Sequence, residues 1–203
     1  MTPLTRRATA EYRRAAPTHI ERGRAWYRDA NAIALNHVVE YGVSIEQASG
    51  ILAALSPRMG WGSNVMFAER MLASKGTLDQ GCLGRSLAQA RRIYAGEDPL
   101  AVMKGPKTRA FYDAILTGGE GDGPAVIDVH AWSMLTGSRD VPPPTNKQYR
   151  EAAVLMARGA KIVGESVHDF QAITWLTWRQ RWWRPGVNDY NGQTMLEGAD
   201  QWA

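Results

Sequence analysis

Apolar side chains recur every three or four residues along most of this chain, the spacing that lines one face of an α-helix. In "PTHIERGRAWYRDANAIALNHVVEY", residues 17–41, the positions Ile20, Trp26, Tyr27, Ile33, Ala34, Val38 and Tyr41 fall near one face. Gly42 stops that helix, and Ser44 caps the next, "SIEQASGILAAL", with Glu46 and Gln47 in its first turn. "SPRMGWGSN" then breaks the pattern with one proline and two glycines before "NVMFAERMLA" resumes it. Further helices are expected over 83–95, 107–117, 129–136, about 146–161 and 166–183, with "GEDPLAVMKGP" a short helix and turn, or a bent loop. "DVPPPT" is a stiff connection. Strand-like alternation is confined to "PAVID", so the chain is predicted to be all-α. It reads as one helical domain, with a basic arm over about 1–16, a core over about 17–184 and a tail over 185–203.

Composition narrows the function classes. The 203 residues are 44% hydrophobic, enough to bury a sizeable core, and no apolar run is long enough to cross a membrane. The N-terminus has no apolar segment of a secretory leader, and Cys82 is the single cysteine. One chain therefore builds neither a disulfide nor a cysteine-ligated zinc or iron–sulfur site. The histidines His19, His37 and His168 lack metal-ligand spacing and read as surface or satisfied core residues, so no metal and no cofactor is expected. "GEGDG" at 119–123 matches neither a P-loop nor a calcium loop and reads as a flexible connection. A reducing cytoplasm, bacterial or of a phage-infected host, is the expected compartment.

Charge points to a partner. The formal net charge is +4, carried mostly by arginine. Arg6, Arg7, Arg13, Arg14, Arg22, Arg24 and Arg28 crowd the first 28 residues against Glu11 and Glu21. A second cluster interleaves Arg179, Arg181 and Arg184 with Trp178, Trp182 and Trp183. Arginine forks beside flat aromatics suit phosphate contact and base stacking. A solvated basic face explains the charges equally well.

The chemistry centres on Lys107 and Asp128. Gly105 is expected to supply a positive φ in a tight turn, and Pro106 suits the first helical position. Lys107 then lies in a first helical turn, where free N–H groups and burial both disfavour an ammonium. A neutral amine there is a potential nucleophile. Asp128 is expected to cap the next helix through the N–H of His130 or Ala131, with Ile127 and Trp132 as a hydrophobic staple. The intervening segment 118–127 spans at most about 33 Å, enough to bring the two helix starts side by side. Taken singly, each residue also has a plain structural explanation: a capping aspartate and an exposed first-turn lysine.

"GPKTRAFYDAIL" followed by "AVIDVHAW" resembles the helix-hairpin-helix DNA glycosylases, nearest their endonuclease III and 8-oxoguanine branches. The weak similarity covers roughly residues 45–180. It implies a two-lobed helical bundle, Lys107 as the amine that attacks the sugar, and Asp128 as its catalytic carboxylate. Upstream, "ILAALSPRMGWGSNVMFAERML" is similar to the family's helix-loop-helix that enters the opened duplex, which makes Arg58, Met59 and Trp61 candidate wedges. Downstream, "DFQAITWLTWRQ" is similar to the segment that contacts the flipped base, which would put Gln171 and Trp175 in the base pocket. The same resemblance implies DNA contacts by Lys104, Gly105, His130, Arg58, Asn64 and Arg179. The chain departs from the pattern at Met103, which stands where the family's first hairpin glycine belongs, and it lacks the cysteine quartet of an iron–sulfur cluster.

The implied activity is a DNA N-glycosylase, with or without strand cleavage, acting as a monomer on duplex with a flipped base and without a membrane. Two alternatives stand beside it. One is a phage-type enzyme on the same fold that transfers an amino acid or similar group to an activated thymine in modified phage DNA. The other is a non-catalytic helical domain that binds DNA.

Overall fold

The computed structural model describes residues 1–182, and among them there are ten helices and no strand. They are α1 (Pro3–Tyr12), α2 (Pro17–Tyr41), α3 (Ile45–Leu55), α4 (Trp61–Ala73), α5 (Gly84–Tyr94), α6 (Pro99–Val102), α7 (Pro106–Leu116), α8 (Val129–Thr136), α9 (Asn146–Val163) and α10 (Val167–Trp182). The protein is all-α, as its periodicity predicts. No helix among the described residues is long and apolar enough to cross a membrane. Trp183, Arg184 and the tail 185–203 lie outside the described residues.

Local chemistry sets the boundaries. Gly42 ends α2 in the left-handed region at φ 67°, where a side chain would be strained. Ser44 and Gln47 form a reciprocal capping box at the head of α3, and Thr145 and Gln148 form another at the head of α9. The segment 124–127, whose sequence alternates like a strand, forms no strand.

Packing divides the helices into two sets that share α2. One gathers around α3, which touches α2, α4, α5, α6 and α7; the other gathers around α10, which touches α1, α2, α8 and α9. α3 is buried on every side from Ala48 to Leu55, which is why its sequence reads as a nearly unbroken apolar run. α2, 25 residues and about 38 Å long, buries Trp26, Tyr27, Ala30 and Ala34 between the two sets. It approaches α10 closely at Gly23, where an added Cβ would lie 2.4 Å from Ile173 Cγ1 and 2.8 Å from Ile173 Cα.

α1 is the element that periodicity misses, because its buried face is Thr5, Ala8, Thr9 and Glu11 rather than large apolar residues. Thr9 satisfies its hydroxyl on the Thr5 carbonyl, and the Arg7 guanidinium reaches the last carbonyls of α8, Leu135 O at 3.2 Å and Thr136 O at 2.6 Å. The expected basic arm is thus a packed helix. Arg24 is likewise engaged, with Glu165 at 2.6 Å, and Arg14 and Arg181 both pair with the buried Glu11. Of the histidines, His19 meets the Thr177 hydroxyl and His168 meets Gly119 O, whereas His37 is buried with neither ring nitrogen hydrogen-bonded, a correction to its reading as a satisfied residue. His168 also pins the "GEGDG" loop at Gly119, so that loop is anchored at its start rather than free.

At an exposed helix position, glycine to alanine stabilises by about 1 kcal/mol. Gly23→Ala is expected to reverse that sign and destabilise by about 1–3 kcal/mol, because the new carbon meets backbone atoms of α10. Denaturant unfolding of the two proteins measures it.

Candidate active site

The two helix sets meet where α7 and α8 begin. Lys107 stands in the first turn of α7 and Asp128 is the N-cap of α8. Gly105 is the N-cap of α7 with φ −76°, so the positive φ expected of it is not used; extended backbone leads straight into Pro106. Met103, where the resemblance would have placed a hairpin glycine, is a fully buried core residue. Lys104 beside it is exposed, at a helix start with no side-chain cap.

Lys107 Nζ donates to Ser56 Oγ at 2.7 Å, and lies 4.9 Å from the centre of the Phe111 ring. Ser56 in turn donates to Ala53 O at 2.9 Å, so it meets the amine with a lone pair. Burial pulls the Lys107 amine below its ordinary pKa, and the negative charge of Asp128 opposes that shift. No direct ion pair joins the two residues. Asp128 nevertheless lies within electrostatic reach of the amine.

Two hydrogen bonds hold Asp128, and a third contact fixes the chain that leads to it. The preceding residues Ala125, Val126 and Ile127 are buried, and the Tyr149 hydroxyl clamps them by donating to Ala125 O at 3.0 Å and accepting from Ile127 N at 3.2 Å. Burial pushes the Tyr149 phenol up to about 12, so it keeps the proton it donates. Asp128 Oδ1 then accepts from Ala131 N at 2.8 Å, one of the two caps expected, with Ile127 and Trp132 both buried as the staple requires. Its Oδ2 accepts from Trp175 Nε1 at 3.0 Å.

Aromatic rings connect the two charged groups. Phe111, beside Lys107, packs 5.9 Å from Trp61; Trp61 lies 6.3 Å from Trp26, and Trp26 lies 5.1 Å from Trp175, which holds Asp128. These rings form a chain of contacts that runs from the neighbour of the amine to the partner of the carboxylate. Gln171, one turn before Trp175, is buried and accepts from the Tyr27 hydroxyl at 2.7 Å. His130 meets the Trp175 ring edge-on at 6.2 Å, and the Arg179 guanidinium lies 4.6 Å over that ring.

Lys107, Asp128, Gln171, Trp175, His130 and Arg179 are therefore brought into one neighbourhood. Trp175 holds the carboxylate with its N–H, a role beyond the pocket lining expected of it. Asn64 is corrected: it is buried and donates to Leu52 O at 3.0 Å, tying α4 to α3 instead of facing a duplex. Trp61 is corrected too, since its ring packs inward; Arg58, exposed at φ 59°, and Met59 remain at the loop tip. The arginine–tryptophan cluster stacks upon itself, with Arg181 lying 5.2 Å over Trp178 and 5.0 Å over Trp182.

Sequence reasoning missed Ser56, Tyr27, Trp26, Phe111 and Tyr149. The serine was signalled only by its place at the head of "SPRMG", and the others have no local signal beyond being aromatic. An open depression of about 400 Å³ lies along the start of α2, lined by Pro17, Ile20, Glu21, Arg24 and Arg28, none of which belongs to this neighbourhood. Among the described residues no three His, Cys, Asp or Glu side chains are grouped to hold a metal.

Fold and site together define an all-helical protein with a partly buried amine and a clamped carboxylate at the junction of two helix sets. The chain belongs to the Family of unknown function (DUF7178), which it matches over residues 1–182. No curated protein and no solved structure matches it.

Two measurements test this geometry. Trp175→Phe removes a donor to a partly exposed carboxylate and is expected to destabilise by about 1 kcal/mol beyond any repacking cost. The excess should vanish in an Asp128→Ala background, as a double-mutant cycle by denaturant unfolding would read. A Cε titration of ¹³C-lysine-labelled protein, with the Lys107 signal assigned by its loss in Lys107→Ala, is expected to give a midpoint below 10.5. Because folding lowers this pKa, the folded state loses the proton first, and stability rises with pH between the depressed value and the unfolded one.

Proposed function

We propose that this protein is a DNA N-glycosylase of the helix-hairpin-helix kind, which extrudes a modified base and breaks its bond to the sugar with Asp128 and Lys107. One observation carries the reading: a buried amine of lowered pKa and a doubly hydrogen-bonded carboxylate whose charge reaches it are delivered by successive helix starts beside a chain of aromatic rings.

The chemistry follows from charge. As the bond between C1′ and the base lengthens, positive charge builds on the sugar, and the fixed Asp128 carboxylate opposes it without having to reorient. The base departs with the bonding electrons and takes up a proton from solvent. The neutral Lys107 amine supplies the electron pair that forms the new C1′–N bond, and its displaced proton passes to the Asp128 carboxylate. Ring opening then leaves a Schiff base, from which the 3′ phosphate can be eliminated. Ser56 suits this role because it only accepts from the amine and adds no negative charge to hold the proton there.

The target must leave the duplex stack to reach such a site. Arg58 and Met59, at the tip of the α3–α4 loop, are the side chains we assign to the gap it leaves. Lys104 and the uncapped start of α7 would take a phosphate, as would His130 beside Trp175 and Arg179 over its face. A cytoplasmic site of action agrees with this reading.

The test is borohydride trapping on a panel of duplexes carrying modified bases. The wild-type protein is expected to form a covalent adduct, Lys107→Ala to form none, and Asp128→Asn to slow excision about 10²–10³-fold. Activity confined to hypermodified phage DNA, with no base released, would move the assignment to group transfer on thymine. Salt-dependent binding without turnover, indifferent to Asp128→Asn, would leave a non-catalytic DNA-binding domain.

A further inference from the structure

The Tyr27–Gln171 pair carries information about which base this site takes. Both residues are buried, at 4% and 5% exposure, and come from α2 and α10, which approach each other closely at Gly23. The Tyr27 hydroxyl has one protein partner, Gln171 Oε1, at 2.7 Å. Burial and the negative charge of Asp128 push this phenol well above its ordinary pKa, so it remains protonated. A buried phenol O–H with a single partner must donate to it, because an unsatisfied donor there is costly. That fixes the carboxamide of Gln171 with its oxygen toward Tyr27. Its NH₂ group makes no bond to the protein among the described residues, and it points away from the tyrosine, one helical turn from the tryptophan that holds Asp128.

A free carboxamide is ambiguous, since rotation by 180° exchanges donor for acceptor. This one is not. A group that meets the NH₂ side of Gln171 faces N–H donors alone, so a carbonyl oxygen is bound there and an exocyclic amine is left without a partner.

We infer that Tyr27 is a positioning residue that sets substrate choice: by locking Gln171 as a pure donor, it makes the site accept bases with a carbonyl where the matching base carries an amine. Uracil- and hypoxanthine-type bases are then favoured over cytosine and adenine. This rests on the glycosylase reading and names the substrate class for that same site.

The experiment measures binding to duplexes carrying uncleavable 2′-fluoro nucleotides of uracil, cytosine, hypoxanthine or adenine. Each target stands opposite a tetrahydrofuran abasic analogue, so that base-pairing energy does not differ between them. Wild type is expected to bind the carbonyl member of each pair about tenfold tighter or more. Tyr27→Phe, which deletes one oxygen and should leave the fold intact by thermal unfolding, is expected to bring that ratio close to one, because the carboxamide is then free to turn. Gln171→Glu, which offers only acceptors, is expected to abolish the carbonyl preference as well. A purely structural Tyr27 would weaken binding to all four duplexes alike and leave the ratio unchanged, and that result would overturn the inference. So would a wild-type preference for the amines. If borohydride trapping yields an adduct but the ratio is one, this inference alone falls; if there is neither adduct nor base-dependent binding, the glycosylase reading falls and takes this with it.

Discussion

The close crossing of α2 and α10 at Gly23 is the constraint on which the rest of the molecule depends. Ile173 presses its backbone against a position where even a methyl group would collide. Only because the axes come this near does Tyr27, one turn along α2, reach Gln171, and Trp26 reach Trp175. A glycine in the middle of a 25-residue helix weakens that helix taken alone. It is offset here by the packing that its missing side chain permits.

From that crossing the site follows in order. α10 carries Trp175 to Asp128, α2 carries Trp26 between Trp175 and Trp61, and α3 ends at Ser56, where the amine of Lys107 docks. The two helix sets thus contribute one charged group each, and the charge of Asp128 reaches the Lys107 amine without a direct contact. A direct ion pair would hold the lysine protonated and unreactive; a neutral hydroxyl partner leaves the amine able to lose its proton.

The positive charge has a more modest part than its amount suggests. Arg7 covers the carbonyl end of α8, Arg24 binds Glu165, and Arg181 is divided between Glu11 and two indole rings. Guanidinium groups are apt for such work because one planar fork satisfies carbonyls, carboxylates and aromatic faces alike. A count of arginines therefore overstates the surface left for a polyanion.

Much of the helical framework was legible in the residues. A period of 3.6, a glycine at position 42, a capping serine at 44 and an aspartate before "VHAW" are local signals, because caps and amphipathic faces are decided within a turn or two of chain. The juxtaposition of Lys107 with Asp128 was legible as a possibility, from two helix starts and a connection long enough to bring them together. What the tertiary structure alone decided was every partner across the molecule: Ser56 for the amine, Trp175 and Tyr149 for the carboxylate and its approach, Tyr27 for Gln171, and the inward turn of Asn64 and Trp61. α1 also became visible only in three dimensions, since threonines and a glutamate make its buried face. The division has a physical cause. Backbone geometry is chosen by near neighbours in sequence, whereas the partner of a side chain is chosen by which helix packs against it, and that depends on the fit of surfaces far apart along the chain.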